Sequence, residues 1–321
     1  MITEAASVVI PCYTQARWPQ LTGAIESALH QVPAPAEVVV VVDYNDALAD
    51  RLRQAYPQVT VLANKLAQGV SGARNTGVFH TRTSVAVLLD DDAQAQPGWL
   101  AAMARPLADP RVVGVGGAIS PRWETGRPTW FPDEMLWAVS ATDPALSAVT
   151  PVRNVWAASL AVRRDVFDAV GGFRVDFGKI GHRYRPEDTD LCVRMARESG
   201  GHWVLTPEAV VSHPVSAQRS RFGWLLGRCY EEGRGKVAYA RLNGPESLGR
   251  EQDYLRRELP RAVGRGLVAP LRGHGVTPAL RALTIVAAVG SAGVGAVLES
   301  ARRDLTTTYT RRQSREPRRV S

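Results

Sequence analysis

Several things are scarce in this sequence of 321 residues. It has three cysteines (Cys12, Cys192, Cys229), far apart and in no C-x-x-C pair. That argues against a disulfide framework and a zinc site, and fits a reducing compartment. A basic n-region and a long apolar h-region are missing from the start, where a strand pattern begins almost at once, so a secretory signal is not expected. Acidic residues thin out toward the end: residues 216–321 hold 20 Arg or Lys against 9 Asp or Glu, and residues 1–215 hold 19 against 22. The net charge of +8 therefore resides wholly in the last third. Such a region suits nucleic acid or an anionic membrane surface, and no zinc-finger or RNA-recognition signature supports nucleic acid. Long uncharged runs are also rare. One, Ala282 to Leu298, has 17 residues between Arg281 and Glu299. This is the low limit for a spanning helix of about 20 residues. Its Ala, Gly and Val content suits a buried or interfacial helix equally well. Basic flanks on both sides give it no orientation. The end of the chain, 311–321, reads as a disordered basic tail.

What is present is a strand–helix alternation. Strands are predicted at 7–10, 38–42, 59–62 and 85–89, with helices at 18–31, 47–56 and from a glycine-containing turn at Gly69 to Thr81. Val38 to Val42 is a continuous β-branched run, the mark of a strand covered on both faces. The pattern implies a doubly wound, mostly parallel α/β sheet, whose ligands bind outside the carboxyl ends of the strands. Asp43 and the triplet Asp90-Asp91-Asp92 sit at such ends. Three adjacent carboxylates repel one another, and a hard divalent cation is the natural relief. An acidic turn would account for the triplet alone equally well. Beyond residue 98 the order is looser. A helix is expected to Leu107 and strands at 112–115, 155–162, 203–206 and 209–213. Further helices are expected at 164–170, 187–199 and 220–242, with a Pro- and Trp-rich irregular excursion over 120–150.

The motifs then come in a set order: Ile10-Pro11-Cys12-Tyr13, Asp43, Gly69-Val70-Ser71-Gly72-Ala73-Arg74-Asn75, the Asp triplet, Gly171-Gly172-Phe173, Pro186-Glu187-Asp188 and Ser212-His213-Pro214. Over residues 5–215 this set resembles family 2 glycosyltransferases, which have the GT-A fold. Gly116 to Trp123, Phe131-Pro132-Asp133-Glu134 with Trp137, and Arg153-Asn154 are similar to the branch that includes glucosyl-dolichyl-phosphate glucuronosyltransferases.

The resemblance implies a metal-dependent inverting transfer from a nucleoside-diphosphate sugar, UDP-linked, with glucuronic acid a candidate sugar. The acceptor would be a polyprenyl-phosphate-linked sugar or glycolipid. Asp90, Asp92 and His213 would hold Mn²⁺ or Mg²⁺. Pro11, Tyr13, Asp43, Arg74, Asn75 and Asp91 would bind the donor. Asp188 would be the general base, and Trp156, Glu187, Arg183 and Arg185 would meet the acceptor. Lys179 and His182 make the segment before the base more cationic, which suits a carboxylate or phosphate on a substrate. Residues 1–215 are expected to form the transferase domain, 216–300 a helical, basic, membrane-associating region and 301–321 the tail. The expected location is cytoplasmic, peripheral at the inner membrane face. Two other readings stay open: a soluble glycosyltransferase modifying a secondary metabolite or peptide, and a degenerate domain that binds sugar nucleotide or a partner without turnover.

Overall fold

The computed structural model describes residues 5–180, 183–244 and 248–301, and leaves out the side chains of 178–180, 183–185, 242, 243, 250 and 251. Its frame is a nine-stranded mixed sheet. Strand β1 (Ala6–Cys12) runs parallel to β2 (Glu37–Val42) on one side and to β4 (Val85–Leu89) on the other, and β3 (Thr60–Ala63) extends β2 outward in parallel. Every residue of β1 and β4 is buried, as are the five valines of β2. These strands lack the polar alternation of a solvated face because helices cover both sides. Helices α1 (Trp18–Leu29), α2 (Asp46–Ala55) and α3 (Val70–His80) make the crossovers.

Beyond β4 the sheet becomes mixed. After β5 (Gln94–Ala95), α4 (Trp99–Ala104) and β6 (Val112–Trp123) come β7 (Thr150–Val152) and β8 (Ser159–Arg163). Strand β8 is antiparallel to both β4 and β6. Helix α5 (Arg164–Ala169), the small hairpin β9 (Gly178–Ile180) and β10 (Arg183–Arg185), and α6 (Glu187–Ser199) lead to β11 (His202–Val215). The strand order is β3-β2-β1-β4-β8-β6-β11-β5, with β7 also on β11. The two short strands expected at 203–206 and 209–213 are one long strand, β11, that shifts register between Thr206 and Val210. The strand expected at 112–115 continues to Trp123 because β11 pairs with it along its length.

The excursion over 120–150 is only partly irregular. A 3₁₀ turn, Asp133–Val139, buries Met135, Leu136 and Val139 beside Phe131. These residues form a second core with the C-terminal helices α7 (Phe222–Asn243), α8 (Gly249–Asp253), α9 (Leu259–Val268) and α10 (Thr277–Ala301). Leu225, Cys229, Leu259 and Ile285 supply its other side. Helix α10 crosses α7 at backbone distance: a Cβ at Gly295 would lie 2.1 Å from the Tyr230 carbonyl, and one at Gly233 2.0 Å from that of Ala292. The uncharged run 282–298 thus forms most of α10, one side of it packed. Of the expected tail, 301–321, Ala301 ends α10 and residues 302–321 lie outside the described residues.

Helix α3 touches the sheet through Gly77, where a Cβ would meet Val9 Cγ1 at 2.3 Å and Val41 Cγ2 at 2.9 Å. Overpacking of this kind costs about 1–3 kcal/mol. Gly77→Ala should therefore lower stability by that amount in urea unfolding. Gly290→Ala on α10, with no atom within 4 Å of its Cβ, should be neutral or stabilising by up to about 1 kcal/mol.

Candidate functional site

The parallel strands β1, β2 and β4 end at one edge of the sheet, and their carboxyl ends open into a cleft of about 240 Å³. Pro11, Tyr13, Asp43, Arg74, Asp90, Asp91, Asp92 and His213 line it, together with Arg17, Ser140 and Arg219. Asp43 is held rigidly: Asn64 Nδ2 donates to its Oδ1 at 2.6 Å and the Gly69 amide to its Oδ2 at 3.0 Å. Pro11 is buried and Tyr13 is 54% exposed at the rim.

The triplet splits three ways. Asp90 Oδ1 accepts from Arg74 Nη2 at 2.8 Å. Asp91, nearly buried, accepts from Arg17 Nη1 at 3.0 Å. Asp92 lies 3.3 Å from the same Arg17 nitrogen and 3.3 Å from His213 Nε2. Asp90 thus turns to one arginine while Asp91 and Asp92 share another, which eases their mutual repulsion. The relief is uneven. Burial, and then the Asp92 charge, push Asp91 up to about 6 despite Arg17. Burial raises Asp92 as well, but His213, Arg17 and Arg219 outweigh it and hold the group below the usual carboxylate range.

A second acidic group faces the first across Arg74. Glu187 and Asp188 open α6 after Pro186, where free amide groups and the helix dipole favour carboxylates. Arg74 Nη1 lies 3.7 Å from an oxygen of each. Arg74 is only 5% exposed, and its Nε and Nη1 make no hydrogen bond. It is a buried counter-ion shared by Asp90, Glu187 and Asp188. The Ala157 amide donates to Asp188 Oδ2 at 3.3 Å, and Oδ1 has no hydrogen-bond partner. Burial and the adjacent Glu187 push Asp188 up to about 7, with Arg74 pulling the other way. Burial raises Glu187 too, against the same arginine.

Three expectations need correction or restriction. Asn75 does not face the cleft: its Nδ2 donates to the Phe173 carbonyl at 2.7 Å and its Oδ1 accepts from the Phe173 amide at 2.8 Å. Both ends of the amide are spent clamping the Gly171-Gly172-Phe173 turn. Asp90 does not converge with Asp92 and His213, because Arg74 draws it toward Asp188. Among the described residues no group of three His, Cys, Asp or Glu side chains converges on one point. Trp156 lies partly buried against the main core, next in sequence to the Ala157 amide that holds Asp188. The backbone of Arg183 and Arg185 belongs to β10. Their side chains, like those of Lys179 and His182, lie outside the described ones.

Arg17, Ser140 and Arg219 were not anticipated. Arg17 reaches the triplet from a 3₁₀ turn after β1. Ser140 ends the Asp133–Val139 turn at φ 60°, and Arg219 follows β11. None belongs to a short motif. Only the four-residue step from Tyr13 to Arg17, one turn of chain, hinted that both face the same cleft.

A curled, mixed sheet with an acidic cleft at the carboxyl ends of its parallel strands defines a GT-A glycosyltransferase. The model of "Glycosyl transferase family 2" matches residues 7–171. The chain is also 30% identical over 236 residues to the glucosyl-dolichyl phosphate glucuronosyltransferase of Haloferax volcanii, covering 72% of this chain and 75% of that protein. It belongs to glycosyltransferase family 2. Among solved structures it is similar in fold to the mannosyltransferase PcManGT from Pyrobaculum calidifontis, determined with GDP-Man and Mn²⁺ (TM-score 0.55, 18% identity, 98% of this chain and 80% of that one). It is likewise similar to GalNAc-T7, determined with UDP, GalNAc and Mn²⁺ (TM-score 0.53, 15% identity). That likeness covers 77% of this chain and 51% of the other.

Asp91 gives a stability test. Its folded pKa lies above the ordinary value, so its contribution to stability is fully present below about pH 4 and is lost as pH rises through 6. Above that the ionised group is a net cost. In metal-free buffer at pH 7.5, Asp91→Asn should stabilise the fold by about 1–3 kcal/mol. Thermal unfolding at pH 4 should show the gain vanish.

Proposed function

We propose that this protein is a metal-dependent, inverting glycosyltransferase. It would move a sugar from a nucleoside-diphosphate donor, UDP-linked, to a polyprenyl-phosphate-linked sugar or glycolipid, with Asp188 as general base. The observation that carries the reading is the pairing of two acidic groups across one buried arginine, one at the end of β4 and one at the start of α6. The first group has the chemistry for a donor and the second for an acceptor hydroxyl.

The residues present fit a hard divalent ion. Asp92 and His213 offer an oxygen and a nitrogen ligand, and Asp91 Oδ2 and His213 Nδ1 are buried without hydrogen-bond partners. Two protein ligands leave room for water and substrate phosphates, as Mg²⁺ and Mn²⁺ prefer. An ion held there would supply positive charge to offset that of a departing diphosphate. Asp43 accepts from the base, with Pro11 and Tyr13 lining the nucleotide pocket. Asp91 faces the ribose or sugar. Asp90, tied to Arg74, keeps that arginine oriented between the two acidic groups.

Asp188 takes the proton of the acceptor hydroxyl as the oxygen bonds to the anomeric carbon and the bond to the diphosphate breaks from the opposite face. A carboxylate poised near neutral pH is matched to that task. Glu187 raises its basicity, and Arg74 limits the rise so that the base form persists at physiological pH. The acceptor class rests on the name of the Haloferax volcanii relative, a glucosyl-dolichyl phosphate glucuronosyltransferase, and on the C-terminal region. From Leu259 to Leu298 the chain carries four arginines (Arg261, Arg265, Arg272, Arg281) and no carboxylate. Leu267, Leu271, Val276, Leu280 and Leu283 are exposed there. Helix α10 is long and apolar enough to span a membrane, with 28% of its most apolar stretch buried. Its backbone contact with α7 favours interfacial docking at the inner membrane face over a span. Residues 1–215 would then be the transferase domain and 216–300 the membrane-associating region.

A panel of UDP- and GDP-sugars, scored for metal-dependent nucleotide release, tests the reading. Asp188→Asn should lower transfer by about 10²–10⁴-fold and leave donor binding in place. In the wild type, kcat/KM should rise with pH and level off above about 7, where Asp188 is ionised. Nucleotide release that ignores both metal and Asp188→Asn would sink the assignment. For the membrane, flotation with anionic vesicles should recover the wild type, and Leu271→Asp with Val276→Asp should abolish recovery. Wild type that ignores vesicles, with full turnover on a water-soluble acceptor, favours the soluble transferase.

A further inference from the structure

We infer that Arg17 is a resident counter-cation of the Asp91–Asp92 pair, displaced by the incoming divalent ion and turned toward the donor phosphates. The inference rests on the reading that Asp92 and His213 hold that ion. One guanidinium nitrogen, Nη1, lies 3.0 Å from Asp91 Oδ1 and 3.3 Å from Asp92 Oδ2. It thus sits between two carboxylates of the triplet, as a cation would. Asp92 Oδ2 faces Arg17 while Oδ1 faces His213. An ion held by Asp92 and His213 would stand close to the arginine and compete with it for Asp92, since two cations that close repel strongly.

The backbone around Arg17 is held by local contacts, and the side chain stands partly open to solvent. Thr14 Oγ1 accepts from the Ala16 amide at 3.2 Å and starts the 3₁₀ turn. The next residue, Trp18, begins α1 and is stacked beneath Arg51, whose guanidinium carbon is 3.8 Å from the ring centroid. The Arg17 side chain itself is 36% exposed, and it also lies over the open rim ring of Tyr13, 5.6 Å away. It can leave the carboxylates by side-chain rotation alone. Arg74, by contrast, is buried among Asp90, Glu187 and Asp188 and cannot. The cleft thus holds one fixed arginine and one movable one. The movable one keeps the triplet ordered before loading. It then supplies a planar donor fork suited to phosphate oxygens.

The test is Mn²⁺ binding alone, without nucleotide, measured by electron paramagnetic resonance on the full chain. Arg17→Ala should bind Mn²⁺ about tenfold more tightly than wild type, within the usual range of coupling between sites. Arg17→Lys, which keeps the charge, should stay near the wild-type affinity. UDP affinity in saturating Mn²⁺ should fall in Arg17→Ala, opposite in sign to the metal effect. A role confined to holding the local fold would not produce that reversal. If Arg17→Ala folds poorly, Arg17→Gln carries the same expectation. Unchanged or weaker Mn²⁺ binding in the neutral variants overturns the inference. Mn²⁺ binding that survives Asp92→Ala overturns instead the assignment of the metal ligands, so the two failures are distinguishable.

Discussion

Everything in the cleft depends on crowding negative charge against a buried arginine. Asp90, Glu187 and Asp188 converge on Arg74, which is almost wholly shielded from water. A buried cation without partners is prohibitive, and three crowded, half-buried carboxylates without a cation repel one another. Each side makes the other tolerable, and neither is fully satisfied. Arg74 leaves two nitrogens unbonded and Asp188 one oxygen. Burial and the adjacent Glu187 charge raise Asp188 toward neutrality against the pull of Arg74, which makes it suitable as a base.

The scaffold is arranged to hold this arrangement still. Helix α3, which carries Arg74, is drawn tight to β1 and β2 by the absence of a side chain at Gly77. Next in sequence to Arg74, Asn75 locks the Gly171-Gly172-Phe173 turn through both ends of its amide. From the other side Asp190, 1% exposed, pairs with Arg174 and Arg194, and Arg194 donates to the carbonyls of Val170 and Gly172. The start of α6, with Glu187 and Asp188, and the helix that bears their counter-ion are thereby fastened to the same turn. Asn75 and Asp190 stand beside functional residues in the sequence, but their hydrogen bonds are structural.

The C-terminal third is tied to the same site rather than appended to it. Its helices share a core with the 3₁₀ turn that ends at Ser140, a cleft residue. Arg281 at the start of α10 donates to the Thr129 carbonyl, and Tyr254 to that of Glu134. A surface that brings these helices to an anionic membrane would therefore also set the position of the cleft's rim. The basic composition of this region is legible at once. That it shares a core with residues 120–141 is not, because the contacts join segments far apart in the sequence.

By itself the sequence determined the fold class, the first four strands and their helices, and the set of acidic motifs. Those signals are local: β-branched runs, helical spacing, glycine turns and carboxylates at strand ends are all written within a few residues. It also carried the family resemblance, because motif order survives without coordinates. Only the tertiary structure decided how the carboxylates divide. Asp90, Asp91 and Asp92 are adjacent letters, yet Asp90 points at Arg74, Asp91 at Arg17, and Asp92 at both Arg17 and His213, and partners from three separate segments set those directions. Asn75 looked like a donor ligand because it follows Arg74, and the fold turned it toward Phe173. Arg17 and Arg219 carry no motif and join the site only when β1 and β11 end at the same edge. Periodicity and composition record what a segment is; which charges meet depends on long-range packing, and the chemistry of this cleft follows from those meetings.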